Sequence, residues 1–271
     1  MTNGIQLCIS GICGRMGGYV YGLAKEDPAI GKITGIDLFG TPLPLRLVSD
    51  AVEVALTQKS VLGNAWDVIK TADVVLFFSN DPSGVVNQAT EAAKAKKAIV
   101  VGTTGFDSSH YETLKACAVT SPVLIASNFS LGINLLDCLL FQVAKTLPPG
   151  FQIEIVEEHH KGKLDAPSGT AEMLAHTACL ARSLNPETCI QRGRAGRSET
   201  PREDEVVGIH AVRGGTITGT HTVIFAGPQE VIRFIHEAQS PEIFARGALR
   251  AVKWITLMPA GWYTMENVLL G

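Results

Sequence analysis

A glycine-rich segment near the N-terminus constrains the fold most strongly. The apolar run Ile5–Ser10 stops at Gly11, and two further glycines, Gly14 and Gly17, follow at intervals of three while helical spacing begins at Arg15. A strand, a tight glycine turn and a helix in this order are typical of the first unit of a doubly wound α/β domain. The three glycines suit, in turn, a tight turn, a close approach of the backbone to a ligand, and close packing of helix on strand.

The same alternation continues through the first half of the chain. Short apolar runs without polar interruption are typical of parallel strands that are buried on both faces. Right-handed crossovers through the intervening helices would give a doubly wound, Rossmann-like domain. The further predicted strands are 33–36, 74–78, 98–101 and 123–126, with helices at 84–95 and 109–118.

The pattern changes after about Leu131. Gly214-Gly215 and Gly227-Pro228 separate three strand-like segments and indicate hairpin turns, so the second half is predicted to be α+β with a mostly antiparallel sheet. A last helical pattern, 241–257, returns to complete the first domain. We therefore expect a dinucleotide-binding domain at 1–130, completed by 240–271, and a substrate-binding and oligomerisation domain at 131–239. The predicted elements are helices 132–147 and 169–184, strands 151–157, 206–213, 216–225 and 230–239, and a loop at 191–204.

Composition excludes several classes of partner. The net charge is −3 and no basic block occurs, which argues against nucleic acid and anionic membrane surfaces. The stretch Met1–Ile5 lacks a charged n-region and a long apolar run, so we expect no signal peptide and a cytoplasmic protein. The six cysteines are scattered without a Cys-x-x-Cys pair, so we expect thiols, with neither disulfides nor a metal site.

The glycine segment predicts a dinucleotide site because a carboxylate follows it at the right spacing. Asp37 ends the second predicted strand 20 residues after Gly17, where it can accept hydrogen bonds from ribose hydroxyls. Leu38-Phe39 follow without a cation, which predicts NADH as the preferred cofactor, with NADPH possible through Arg15 or Arg46. A purely structural turn is the alternative. The predicted cofactor-binding residues are Gly11, Ile12, Cys13, Gly14, Arg15, Met16, Asp37, Gly102, Thr103, Thr104, Ala126, Ser127, Asn128 and Phe129.

The segment after the predicted strand 151–157 combines cations, proton carriers and a helix start. His159, His160 and Lys163 precede Pro167-Ser168-Gly169-Thr170, and either Asp165 or Ser168 can cap the helix. The unpaired N–H groups of Gly169 and Thr170, the Thr170 hydroxyl and a nearby cation can clamp a carboxylate. Capping and substrate binding by Ser168 can hold at once. Proton carriers at an anion site suggest that the bound acid is chemically transformed.

Over essentially its whole length the chain resembles the dihydrodipicolinate reductase (4-hydroxy-tetrahydrodipicolinate reductase) family of diaminopimelate and lysine biosynthesis. The long segment from Glu154 to Ala171 is the most specific part of the likeness. The motifs that carry it are Gly11–Gly17, Gly102–Phe106, Asn128–Ser130 with Gly132, Glu154–His159, Lys163, Asp165, Pro167–Ala171, Arg213–Gly215 and Gly219 with His221-Thr222.

The resemblance implies a nicotinamide-dependent oxidoreductase that reduces a small cyclic, unsaturated dicarboxylic acid. It implies that His159 takes part in proton transfer and that Lys163 donates a proton, without deciding which of the two delivers it. It further implies substrate binding by His160, Gly169 and Thr170, and a homotetramer built through the C-terminal sheets. Two alternatives are another two-domain NAD(P)-dependent reductase of a keto or imino acid, and a non-catalytic nucleotide-sensing protein.

Overall fold

The computed structural model describes residues 4–59 and 63–271, so Met1–Asn3 of the N-terminal stretch considered above lie outside the described residues. The chain forms two compact units. The first comprises Met1–Ser130 and Glu242–Gly271, and the second comprises Leu131–Pro241. Within the described part, no helix has the length and apolar character needed to cross a membrane.

The first unit is a seven-stranded sheet with helices between its strands. Its strands are β1 (Ile5–Ser10), β2 (Ile30–Leu38), β3 (Val54–Thr57), β4 (Val74–Phe77), β5 (Ala98–Val101), β6 (Pro122–Ile125) and β12 (Gly261–Tyr263). Its helices are α1 (Arg15–Lys25), α2 (Leu45–Ser49), α3 (Ala65–Ile69), α4 (Pro82–Lys94), α5 (Ser108–Cys117), α9 (Glu242–Ile255) and α10 (Met265–Leu270).

All strand pairs of this sheet are parallel, in the order β12-β6-β5-β4-β1-β2-β3. This confirms the predicted doubly wound fold. The chain reverses direction across the sheet between β1 and β4, and ligands of such sheets bind beside that switch at the carboxyl ends of the strands. Every residue of β4 and β5 is buried, because helices cover both faces of the sheet.

The sequence prediction omitted the two edge strands of this sheet, β3 and β12. β3 reads Val-Ala-Leu-Thr and is only half buried in alternation, and β12 has three residues, Gly-Trp-Tyr. Neither produces an unbroken apolar run longer than three residues, because an edge strand has one neighbour and packs less of its surface. The central strands could be predicted because both of their faces are buried, and such strands are apolar along their whole length.

The second unit packs two long helices on one face of a five-stranded sheet. Its core joins apolar residues of the long helices to the inward side chains of the central strands. The elements are α6 (Leu131–Thr146), β7 (Gln152–His159), α7 (Gly169–Ala181), α8 (Pro186–Cys189), β8 (Ile190–Arg192), β9 (Val207–Arg213), β10 (Thr220–Ala226) and β11 (Val231–Glu237).

The sheet of this unit is mixed, in the order β11-β10-β7-β9-β8. The β10–β11 and β10–β7 pairs are antiparallel, whereas β7–β9 and β8–β9 are parallel. The hairpin predicted at Gly214-Gly215 is therefore wrong, because β7 lies between β9 and β10. The hairpin predicted at Gly227-Pro228 is correct, and the Gly227 N–H donates to the Glu230 carbonyl across it.

The cysteine prediction needs one correction. Cys179 near the end of α7 forms a disulfide with Cys189, ten residues later, instead of remaining a thiol. The chain reverses after α7, and α8 returns Cys189 to the buried side of that helix. A spacing of ten residues carries no disulfide signal unless this reversal is known. The cysteines that remain free are Cys8, Cys13, Cys117 and Cys138.

Candidate active site

Strand β7 carries two polar side chains on its buried face. Side chains alternate along a strand, so Ile153, Ile155, Glu157 and His159 all point toward the core, where each is buried. The first two pack in the apolar core. Glu157 and His159 continue the same row at the carboxyl end of the strand. A carboxylate and an imidazole thus occupy core-facing positions where apolar residues are expected.

The neighbouring strands place an arginine and a second histidine beside this pair. Across the parallel pair β7–β9, Arg213 is the register partner of His159. Across the antiparallel pair β7–β10, His221 is the register partner of Glu157. The sheet therefore gathers four ionisable residues from three strands that lie far apart in sequence.

Glu157 is the centre of this cluster. Its side chain has 0% exposure, and its Oε2 lies 2.6 Å from His159 Nδ1. Arg213 donates to both carboxylate oxygens, at 2.8 and 2.7 Å. Burial opposes ionisation of the carboxyl, but hydrogen bonds from Arg213, His159 and the Ser168 N–H outweigh it and lower the pKa of Glu157. Glu157 is accordingly an ionised carboxylate at neutral pH.

Helix α7 begins directly beside this carboxylate. Ser168, rather than Asp165, is the N-cap, and its hydroxyl oxygen accepts a hydrogen bond from the Ala171 N–H at 3.2 Å. The Ser168 N–H in turn donates to Glu157 Oε1 at 2.9 Å. Gly169 is exposed, and a Cβ built on it would meet no atom within 4 Å. The first turn of the helix therefore faces open space with its N–H dipole, which suits an anion.

His221 closes the cluster from β10. Its Nε2 lies 3.0 Å from the Ser168 hydroxyl, and its ring meets that of His159 edge to face at 5.2 Å. Burial, reinforced by the nearby His159, lowers the pKa of His221 to about 4, so this imidazole is neutral at neutral pH. Its Nδ1 is buried without a hydrogen-bond partner among the described residues. A buried acceptor without a partner costs less than a buried N–H without one. Nδ1 is therefore the unprotonated nitrogen, and Nε2 carries the hydrogen that it donates to the Ser168 hydroxyl.

The loop between β7 and α7 holds the remaining predicted residues. Lys163 forms an ion pair with Asp165 at 2.8 Å, and its side chain is 23% exposed. His160 is exposed, and its ring lies near Gly162. Thr170 is half-buried in the first turn of α7. The structure thus joins His159 and Ser168 through one carboxylate, while His160 and Lys163 lie on the loop that connects them.

Sequence reasoning assigned no role in the site to Glu157, Arg213 and His221. The predicted strand ended at Glu157, whereas β7 continues to His159. The period of two within the predicted strand already places Glu157 on the buried face, and extending it by one step places Glu158 on the outer face and His159 on the buried one. A charged residue on a buried strand face is a signal of a paired or functional group. The pairing of β7 with β9 and β10 carries no comparable sequence signal.

In the first unit, the glycine segment has the geometry that a dinucleotide needs. Gly11 has φ +83°, and a Cβ on it would lie 2.8 Å from the Phe78 backbone. A Cβ on Gly17 would lie 2.1 Å from the Gly11 carbonyl oxygen, so α1 packs directly on the turn. Gly14 is the N-cap of α1 and offers no side-chain acceptor, and the first turn has no acidic residue. The N–H groups of that turn are suited to a phosphate.

Asp37 lies against this turn from the end of β2. Its two oxygens accept hydrogen bonds from the N–H groups of Cys13 and Leu38, at 2.8 and 2.9 Å. Burial and the adjacent Asp37 raise the pKa of the Cys13 thiol to about 12, which makes this cysteine unreactive. Arg46 lies on the same side, since one of its guanidinium nitrogens would be 2.3 Å from a Cβ on Gly18.

The remaining predicted cofactor residues follow β5 and β6 at the carboxyl edge of the sheet. Thr103 is buried and donates to the Ser79 carbonyl at 2.8 Å, whereas Thr104 is exposed. Phe129 is buried and meets Phe78 edge to face at 5.7 Å. Ser127 is exposed, and the Asn128 side-chain oxygen accepts from the Ser130 N–H at 2.8 Å. Ile12 is buried, Met16 and Ala126 are partly buried, and Arg15 is exposed.

Comparisons with known proteins find matches to both units of the chain. The family model described as dihydrodipicolinate reductase, N-terminus, matches residues 5–129, and the one described as dihydrodipicolinate reductase, C-terminus, matches residues 132–269. The chain is 42% identical to a protein named 4-hydroxy-tetrahydrodipicolinate reductase from Caldanaerobacter subterraneus subsp. tengcongensis, over 97% of this chain and 98% of that protein.

Solved structures share the fold. A dipicolinate-bound dihydrodipicolinate reductase from Paenisporosarcina sp. TG-14 superposes with a TM-score of 0.76 at 23% identity, over 98% of this chain and 100% of that one. A scyllo-inositol dehydrogenase from Lactobacillus casei with bound NAD(H) gives 0.61 at 13% identity, over 98% and 93%. The family predicted from the sequence is confirmed by the family models and the curated relative. The chain belongs to the dihydrodipicolinate reductase family.

Proposed function

We propose that this protein catalyses the NAD(P)H-dependent reduction of 4-hydroxy-tetrahydrodipicolinate to tetrahydrodipicolinate in diaminopimelate and lysine biosynthesis. One observation in the candidate active site supports this proposal most directly. A histidine that can exchange a proton and an uncovered helix start that can bind a carboxylate are held together by a single buried side chain, at 2.6 and 2.9 Å. The full-length likeness to relatives that bear this enzyme's name supports the same reaction.

The second unit is proposed to bind the dicarboxylic acid. The exposed Gly169 at the start of α7 is proposed to receive one carboxylate at its N–H group, with the N–H and hydroxyl of Thr170 beside it. The Ser168 hydroxyl accepts from the Ala171 N–H and from His221, so its own hydrogen is available to the same carboxylate. On the loop that leads into α7, Lys163 supplies positive charge for the substrate and the exposed His160 supplies a hydrogen-bonding ring.

Proton transfer is proposed to involve His159 and Lys163. The Nδ1–H of His159 donates to Glu157, which leaves Nε2 to hold or release the proton. The ion pair with Asp165 holds the Lys163 side chain on the same loop, and the hydrogen bond from Lys163 lowers the pKa of Asp165. Loss of the 4-hydroxyl as water gives a conjugated ring, and reduction of that ring requires a hydride and one proton. A side chain held at hydrogen-bond distance from the developing charge can supply that proton.

The first unit is proposed to hold the nicotinamide cofactor, which supplies the hydride when bound. The uncapped first turn of α1 fits a pyrophosphate, and Asp37 fits the ribose hydroxyls because each of its oxygens retains a second lone pair. We propose NADH as the preferred form, because the Asp37 carboxylate repels a 2′-phosphate. NADPH remains usable through Arg46, whose guanidinium forms no ion pair with any described residue. The loops after β5 and β6 are proposed to receive the nicotinamide end.

We further propose a cytoplasmic homotetramer assembled through the second-unit sheet. The face of that sheet that does not pack on α6 and α7 exposes apolar side chains along the edge strand β11. Val231 is 46% exposed and Ile235 is 60% exposed. An edge strand with exposed apolar side chains is typical of a strand that a partner subunit covers.

The proposal is tested by following oxidation of NADH with freshly generated 4-hydroxy-tetrahydrodipicolinate, with NADPH alongside. We expect turnover that depends on this substrate, with a higher kcat/KM for NADH. Turnover only with keto or imino acids would instead assign another two-domain reductase activity. Cofactor binding without any turnover would indicate a nucleotide-sensing protein.

A further inference from the structure

We propose that Glu157 is the positioning residue of this site, which fixes His159 and the start of helix α7 with one carboxylate while Arg213 holds that carboxylate in place. The inference rests on the proposed function and assigns a role to two residues outside the predicted catalytic and binding set. It also makes proton transfer and substrate binding depend on the same buried side chain.

The two oxygens of Glu157 serve two different parts of the site. Oε2 accepts from His159 Nδ1 at 2.6 Å, and Oε1 accepts from the Ser168 N–H at 2.9 Å. A carboxylate on Nδ1 selects the tautomer in which Nε2 is free to exchange a proton. The bond to Ser168 fixes the residue whose hydroxyl caps α7. A shift of Glu157 would therefore displace the proton carrier and the anion site together.

Arg213 holds the Glu157 carboxylate in place and balances its negative charge. Its guanidinium approaches both oxygens in a two-pronged contact, at 2.8 and 2.7 Å, and also donates to the carbonyls of Val212 and Asp165. A buried carboxylate without such a partner would take up a proton, and one of its acceptor oxygens would become an O–H donor. With Arg213 present, the carboxylate charge is balanced without requiring His159 to be positive.

Gly219 lies beside the Nε2 of His159. A Cβ on Gly219 would lie 2.9 Å from that nitrogen, so a larger residue there would press on it. His221 packs against the ring from β10 and is neutral at neutral pH, because burial lowers its pKa to about 4. The charged groups around His159 are therefore Glu157 and Arg213, with the Lys163–Asp165 pair on the adjoining loop. Glu157 is the group that contacts the ring directly.

A purely structural ion pair is the competing interpretation, and Glu157→Gln distinguishes the two. A glutamine side chain keeps the size but has one acceptor oxygen for the donors of His159, Ser168 and Arg213. We expect kcat to fall about 100-fold, at the low end of the contribution of general acid–base catalysis, with a raised KM for the dicarboxylic substrate. The pH dependence of kcat/KM should lose or shift the limb that His159 produces. The Kd for NADH should stay within about twofold, since the first unit is untouched.

Glu158→Gln is the matched control. It makes the same change at the next residue of β7, which points to the opposite face of the sheet. We expect kcat, KM and pH profile close to those of the unaltered protein. Equal kinetics and equal pH profiles in the two variants would overturn the proposal, and so would a Glu157→Gln variant that is merely less stable. Neither result would touch the proposed reaction, which fails only if the unaltered protein shows no turnover.

Arg213→Lys provides a second measurement if Glu157→Gln does not fold. It keeps the charge but replaces the two-pronged contact with a single point of attachment. Nitrogen-15 NMR of the His159 ring should show Nδ1 protonated in the unaltered protein and a mixture of tautomers in the variant, with a matching loss of kcat. An unchanged tautomer together with unchanged kcat would contradict the positioning role.

Discussion

At the scale of the residue, the neutral, buried His221 gives the protein a specific pH dependence. Burial lowers its pKa from 6.5 to about 4, so between these values the unfolded chain binds a proton that the folded chain does not. Stability therefore falls as pH decreases through this window. The loss amounts to about 2 kcal/mol between pH 7 and pH 5 for this one group.

Replacing His221 with glutamine should remove that part of the slope. Urea unfolding at pH 7 and pH 5 measures it as the change in unfolding free energy between the two conditions. His176→Gln is the control, because His176 is an exposed histidine on α7 in the same unit. A His221→Gln variant that keeps the full slope of the unaltered protein would show that the buried ring is not its source.

Arg46 is proposed to decide a second property at this scale, the tolerance for NADPH. Its guanidinium lies over Gly18 beside the glycine turn, on the side of Asp37 and Cys13. Replacing it with alanine removes one charge-assisted hydrogen bond to a 2′-phosphate. The KM for NADPH should rise about tenfold while that for NADH barely changes.

Steady-state kinetics with both cofactors make this test, and Lys32→Ala is the charge-matched control. Lys32 pairs with Glu53 at 3.2 Å and is half exposed in the same unit. If Arg46→Ala changed neither KM, Arg15 would become the residue to examine. Equal losses with both cofactors would point to a disturbed turn rather than to a phosphate contact.

At the scale of the element, helix α1 contains one glycine that its packing requires, Gly17, and one that it does not require, Gly22. A Cβ at Gly17 would press on the Gly11 carbonyl oxygen at 2.1 Å and on Ile12, whereas a Cβ at Gly22 meets nothing within 4 Å. Gly17→Ala should therefore destabilise the protein by about 1–3 kcal/mol through overpacking and weaken NADH binding. Gly22→Ala should stabilise it by about 0.5–1 kcal/mol through helix propensity. Urea unfolding and NADH titration read out both variants, and a shared sign of the stability change would contradict this account.

The elements also show where sequence reasoning succeeds and where it stops. The strand that precedes Gly11, the helix after it and the carboxylate at Asp37 could be predicted because their signals are local in sequence. The start of α7 at Gly169 could be predicted for the same reason, since Ser168 and Pro167 mark it. The contact between Glu157 and Arg213 could not, because it depends on which strands become neighbours. Gly214-Gly215 suggested the wrong neighbours, since a turn between two strands does not reveal a third strand inserted between them.

At the scale of the whole molecule, the two halves differ in how fully the sequence determines them. The first unit follows a repeated strand–helix order, so the parallel topology follows from short connections and right-handed crossovers. The second unit has long connections. Strand β8 of its mixed sheet overlaps the segment 191–204, which was predicted to be a loop. Three-residue strands gain their stability from pairing rather than from their own sequence. The arrangement of its active residues is therefore a product of tertiary structure.

The proposed assembly is the property that belongs to the molecule as a whole. Ile235 is 60% exposed on the outer face of β11, opposite Ile232 and Phe234, which pack on the core. If this face joins protomers, Ile235→Glu buries a charge at the interface and should shift the protein from tetramer toward smaller species in sedimentation velocity. Leu257→Glu is the control, because Leu257 is 79% exposed in the first unit. An unchanged sedimentation profile for Ile235→Glu would place the oligomer contact elsewhere, since an unpaired charge cannot be buried at an apolar contact without a cost of several kcal/mol.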